Sequence, residues 1–179
     1  MNTKASTGFT HKGELTFPRI IDCVLDEYQE IRVTVPEGAN LGAALRQAII
    51  SYPHGGGVGR ICAGTARGLS YHVVVHTGGP ERPYEYGSPL EVDEEVAFVS
   101  GAITVGRNDA NLPILHCHAG FNDGSGVVHG GHVVLEKTWV GSEPVVVRMC
   151  LFTAGGFATR EDAETHFKLL HPITLAGDE

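Results

Sequence analysis

The stretch that decides how this chain is read is His116-Cys117-His118-Ala119-Gly120-Phe121, then Asn122-Asp123-Gly124-Ser125-Gly126, then Val127-Val128-His129-Gly130-Gly131-His132. Pro113 to Phe121 has the length and apolar content of a strand. Side chains alternate faces along a strand, so His116 and His118 project together and Cys117 points away, toward a core. The turn cluster folds Val127 to His132 back beside that strand. Two imidazoles one pleat apart, with a third from His129 or His132, make a donor set for zinc or a similar divalent ion. A fourth position left to water would allow hydrolytic chemistry. The alternative is a set of ordinary polar strand residues bonded to their neighbours. Cupins also use His-x-His, but their motif needs a Glu a few residues on. Here Ala119 to Asn122 follow, and the nearest carboxylate, Asp123, falls in the turn.

Outward from this stretch, the pattern predicts a domain of strands with one helix. Ile20, Ile21, Cys23 and Val24 suggest a first strand after Pro18. Ile31 to Val35 alternates apolar and polar and ends at Pro36-Glu37-Gly38. Leu41, Ala44, Leu45, Ala48 and Ile49 recur at three and four, which predicts a helix over 40–50, capped by Asn40 and stopped by Pro53. Val58 to Ala66 and Leu69 to His76 read as two strands joined by a tight turn at Arg67-Gly68. Thr77 to Pro89 reads as a loop, Glu91 to Val105 as a strand bent at Gly101, and Pro144 to Phe152 as a last long strand. Thr159 caps a predicted short helix, Arg160 to Leu170, stopped near Pro172. The sum is an α+β domain with a mainly antiparallel sheet of about seven strands and one main helix.

Composition narrows the function classes. The chain has 179 residues, 42% of them apolar and 19% charged, which suits one globular domain. Its net charge of −8 weighs against a polyanion partner, because Lys and Arg supply most non-specific nucleic-acid affinity. No apolar run approaches the roughly 20 residues of a spanning helix, and none resembles a leader. Four separated cysteines without a Cys-x-x-Cys pair suggest reduced thiols in a cytoplasm.

The run His116-Cys117-His118-Ala119-Gly120-Phe121, Asp123-Gly124, Val127-Val128 and Gly130-Gly131-His132 resembles the hallmark of the PPC (plants and prokaryotes conserved) domain, also met in plant AT-hook proteins. Val33 to Gly38 with Leu41, Gly64-Thr65 with the strand after it, Glu94 to Ile103, and Glu143 to Val147 resemble the rest of that domain. The resemblance covers about residues 19–153. It leaves 1–18 as a flexible N-terminal arm and 154–179 as a C-terminal extension, and the family accounts for neither. It implies a homotrimer-forming α+β fold of the stand-alone prokaryotic type. It makes His116, His118 and His132 the metal ligands; His129 has no counterpart in the family and stays only as a backup, and three neutral imidazoles make zinc the expected ion. It also implies association with DNA or a regulatory role. Against DNA, the AT-hook core Arg-Gly-Arg-Pro is missing, and the only Arg-Pro pair is Arg82-Pro83. The other expectation is a small zinc enzyme or small-molecule-binding protein, with Asp123, Glu136 or Glu143 as proton carriers.

Further candidates are weaker. Gly55 to Arg60 resembles a phosphate loop but precedes a strand, so it reads as a connection. His72 and His76 share a predicted strand face. Arg60, Arg67, Arg107 and Arg148 would form an anion site if folded together, or else pair with acids. Trp139, with Val140 and Leu135, suits a subunit contact or plain core packing.

Overall fold

The computed structural model describes residues 11, 13–25, 27–52, 56–79 and 82–174. In chain order its elements are β1 (Tyr28–Val35), α1 (Leu41–Ile49), β2 (Gly56–Ala63), β3 (Thr65–Arg67), β4 (Leu69–His72), β5 (Val74–His76), β6 (Tyr84–Tyr86), β7 (Leu90–Val92) and β8 (Val96–Arg107). Then come β9 (Pro113–Asn122), β10 (Val128–Val133), a 3-10 turn at Leu135–Lys137, β11 (Trp139–Val140), β12 (Val145–Phe152), β13 (Gly155–Glu161) and β14 (Lys168–Thr174). Among the described residues, twelve strands share one sheet, ordered β1-β12-β2-β8-β9-β10-β4-β7 along its main path. β5 and β6 form a separate hairpin. Every ladder is antiparallel except a single parallel contact between Ala158 and Arg107. No described helix is long and apolar enough to cross a membrane.

One face of the sheet buries the core. Val35, Ile61, Ile103, Cys117, Phe121, Val133, Val147 and Met149 alternate inward along their strands and are each at most 2% exposed. α1 closes that face with Leu41, Leu45 and Ile49. Asn40 starts the helix as expected: its Oδ1 accepts from the amide of Ala43 (2.9 Å), while its Nδ2 donates to the carbonyl of Glu136 (2.8 Å). Gly42 lets the helix meet the 3-10 turn, since a Cβ there would lie 2.8 Å from the Leu135 backbone.

Several expectations are corrected. Ile20 to Val24 forms no strand, and Ile20 and Val24 are about 80% exposed. The predicted hairpin at Arg67-Gly68 does not pair its two strands. β2 lies between β12 and β8, whereas β4 lies between β10 and β7. The bend near Gly101 is a shift of register between Phe98 and Ser100. The loop Thr77 to Pro89 contains β6. Pro53, the expected helix stop, lies outside the described residues, as does Gly55 of the glycine-rich run, which from Gly56 onward is strand β2. Among the described residues fourteen strands therefore replace about seven, because short edge strands hide inside apparent loops.

The largest change is at the C-terminus, where the helix Arg160 to Leu170 is instead the hairpin β13–β14. Asp162 is the reason. Its Oδ2 accepts from the amide and hydroxyl of Thr165 (2.8 and 2.6 Å), and its carbonyl accepts from His166, whose φ is +58°. One helical turn therefore begins here, but the left-handed φ at His166 stops it, and the Asp162 amide donates to the Phe167 carbonyl (2.9 Å) to close the hairpin. Residues 13–25 lie along this hairpin. Gly13 donates its amide to the Glu164 carbonyl (3.1 Å), Thr16 donates to Asp162, and Arg19 pairs with Glu164.

Two substitutions rank these contributions. Asn40→Ala should cost about 1 kcal/mol through loss of the cap. Leu45→Ala, at a fully buried site, should cost about 2–5 kcal/mol. Chemical denaturation of both variants checks this, and the reverse order would contradict the packing described.

Candidate metal centre

β9 and β10 pair with His118 opposite His132, Cys117 opposite Val133, and Phe121 opposite His129. Directly opposed residues share a face, so the register puts His118 and His132 on the side away from the core. His116 joins them from one pleat back. The ring centroids are 4.8 Å (His116–His118), 4.5 Å (His116–His132) and 5.5 Å (His118–His132) apart, and one nitrogen of each ring lies within 4.8 Å of the others. Gly131 is what lets β4 close in on β10: a Cβ there would sit 2.2 Å from the His72 carbonyl oxygen. Asp123 pins the turn. Its Oδ1 accepts from the amides of Ser125 (3.1 Å) and Val127 (3.2 Å) and from the Ser125 hydroxyl, while its Oδ2 accepts from His129 (2.8 Å). Those bonds hold the Asp123 carboxyl down to about 2.

The electrostatics suit a metal. Burial, then the neighbouring His132 and His118 rings, lowers His116 from the ordinary 6.5 to about 4. Burial also lowers His118, and it lowers His132 together with repulsion from His118 and His72. All three rings keep lone pairs near neutral pH, the form that binds metal. The Nδ1 of His132 is buried without a hydrogen-bond partner, an arrangement that costs about 1–3 kcal/mol unless something coordinates it. The residues therefore fit a divalent ion. Cys117 takes no part: it is fully buried in the core, where burial pushes its thiol up to about 12.

The remaining candidates separate. His129 stacks on Phe121 (5.8 Å) and pairs with Asp123, so it is no backup ligand. His72 and His76 lie on different strands. His76 packs against Tyr84, whereas His72 lies opposite His132 with ring centroids 6.2 Å apart and donates Nδ1–H to the Gly87 carbonyl (2.8 Å). Glu136 pairs with Arg46, and neither it, Asp123 nor Glu143 lines the cavity above the histidines. Arg67 pairs with Glu95, and Arg107 donates to the Asn111 carbonyl. Arg82 lies 4.4 Å over the Phe167 ring. Leu135 and Val140 are core residues, while Trp139 is half exposed.

Arg60 and Arg148 do come together, and Arg32 joins them, which the sequence pattern did not reveal. One line of register runs Arg32, Arg148, Arg60, Ala102, His118, His132, His72 across seven neighbouring strands. Glu30 pairs with Arg148.

A cavity of about 620 Å³ lies over the histidines. Tyr84 and Tyr86 from the β5–β6 hairpin flank it, and Phe167, Leu169 and Leu170 from the C-terminal hairpin roof it. A smaller cavity of about 240 Å³ at the end of α1 has no comparable donor set.

Solved structures share this architecture. A plant- and prokaryote-conserved (PPC) protein from Pyrococcus horikoshii superposes with a TM-score of 0.65 at 15% identity, over 86% of this chain and all of that one. The chain has the PPC fold. A metal-containing protein from Archaeoglobus fulgidus matches at TM-score 0.64 and 16% identity, over 85% of this chain and 98% of that one. A candidate DNA-binding protein from Ralstonia eutropha matches at TM-score 0.64 and 15% identity, over 81% and 95%. No family model and no curated protein sequence matches the chain. At these identities the likeness is one of fold.

The lowered His116 value has a sign that can be checked. The unfolded chain takes up this proton near pH 6.5, the folded chain only near about 4. Stability of the metal-free protein should therefore fall as pH drops through that window. His116→Gln should show a shallower fall when both are denatured at matched pH values. An identical slope would contradict the burial described.

Proposed function

We propose that this chain binds a divalent metal ion, zinc, on His116, His118 and His132, and so holds a small molecule in the cavity above them. The observation that carries this is the register of β9 and β10, which converges three neutral imidazoles on the floor of a cavity. A bound ion would supply a Lewis-acidic position open to an exogenous donor. The protein's own residues position that ion and shape the space around it. The carboxylates considered as proton carriers lie outside the cavity lining, which favours ligand binding over hydrolysis. The metal-containing neighbour of the same fold supports the reading. We propose further that the chain assembles as a homotrimer, a reading that the resemblance to the PPC domain suggests and that half-exposed Trp139 suits as a contact residue. Four unpaired cysteines support a cytoplasmic, reducing setting.

Metal analysis of untagged protein should find one zinc per chain. Ala substitution at His116, His118 or His132 should abolish it, and a chelator should lower the melting temperature of the wild type only. Metal-free wild-type protein would contradict the proposal. Light scattering should read three times 19.1 kDa, and a monomer mass would remove the trimer.

DNA association is the second reading, and one observation favours it: Arg32, Arg148 and Arg60 stand in line on one face, with Glu30 paired to Arg148. Neighbours described as DNA-binding candidates share the fold. A gel shift with duplex DNA at about 150 mM salt tests it. The reading predicts a shift lost in Arg32→Ala/Arg60→Ala, and no shift at micromolar protein would remove it.

A further inference from the structure

The cavity lining is unusual for an acidic chain. The sequence holds 21 acidic residues, yet among the described residues no Asp or Glu lines the space over the three histidines. Lys168 borders it but pairs with Asp109, which lies outside. Imidazole coordinates metal as the neutral ring, so a divalent ion on His116, His118 and His132 keeps both its charges uncompensated. In a partly dehydrated cavity such a centre favours an anionic oxygen donor in its remaining position. The C-terminal hairpin brings apolar surface to the cavity through Phe167, Leu169 and Leu170, beside Thr159 and Thr165.

Resting on the metal reading above, we propose that the ligand is an organic carboxylate with an aromatic or branched aliphatic body, its head at the three histidines and its body under the C-terminal hairpin. The volume of about 620 Å³ suits such a molecule. His11, whose Nδ1 is buried without a partner, also lines the cavity and offers the body one polar contact. The apolar wall is held in place by close approaches. A Cβ at Gly106 would lie 2.7 Å from Leu170 Cδ2, and one at Gly13 would lie 1.8 Å from the Ala163 carbonyl oxygen. So the C-terminal hairpin, a part the family resemblance does not cover, selects the body of the ligand. The histidines select its head.

The test loads the full-length protein with Co²⁺, whose visible spectrum reports on the ion's ligands. It then titrates acetate, 3-phenylpropionate and 3-phenylpropanol, with calorimetry in parallel. The expected result is that both carboxylates perturb the spectrum and that 3-phenylpropionate binds at least about tenfold tighter than acetate, as burial of a phenyl group implies. The neutral alcohol should leave the spectrum unchanged. Leu170→Ala should weaken 3-phenylpropionate about tenfold with acetate unaffected; the unaltered Co²⁺ spectrum of the variant shows that its site is intact. Equal affinity for the two carboxylates, or a spectral change from the alcohol equal to theirs, overturns the proposal alone. Failure of Co²⁺ to bind, or binding that survives His118→Ala, overturns the metal reading and this proposal with it.

Discussion

The antiparallel register between β9 and β10 is the constraint on which the site depends. Side chains alternate with a period of two, so a slip of one residue would turn His132 into the core and lift Val133 onto the outer face. The core forbids this. Cys117, Phe121 and Val133 are each at most 2% exposed on the inner face, and burying a large apolar side chain is worth about 1.5–3 kcal/mol. The Asp123 turn sets the length of the connection, and Gly131 admits β4 at the edge. Packing on one face of the sheet therefore positions the imidazoles on the other, although they contribute little to that packing themselves.

The same register organises the whole outer face. Successive antiparallel pairings carry the line from Arg32 through Arg148 and Arg60 to His118, His132 and His72. One end is a row of arginines. Like charges directly opposed across a ladder disfavour each other, and the Glu30–Arg148 pair offsets only part of that. The other end is a set of neutral rings under a cavity. Small Ala102 separates the two, so a single face carries an open row of arginines and, apart from it, a histidine cluster beneath a cavity.

Much of this was legible in the sequence, for local reasons. Alternation marks β1 and β12, a 3.6-residue stripe with Asn40 marks α1, and His-x-His on a strand places two ligands on one face whatever surrounds them. What escaped was non-local. β6 and β7 are three residues each and exist only through their partners. Arg160 to Leu170 resembles a helix in composition, but the Asp162–Thr165 turn and the fit of Leu170 over Gly106 decide for a hairpin. His72 and the arginine line depend on which strands become neighbours, and no single segment encodes that order. The extensions likewise gain meaning only once they stand over the histidines.

The most direct test of the account is an anomalous-scattering map at the zinc edge, from a crystal of untagged protein. The account predicts one peak per chain, about 2.0–2.1 Å from a nitrogen of each of His116, His118 and His132. A peak coordinated by other residues, or none in protein grown and purified with zinc, would contradict it.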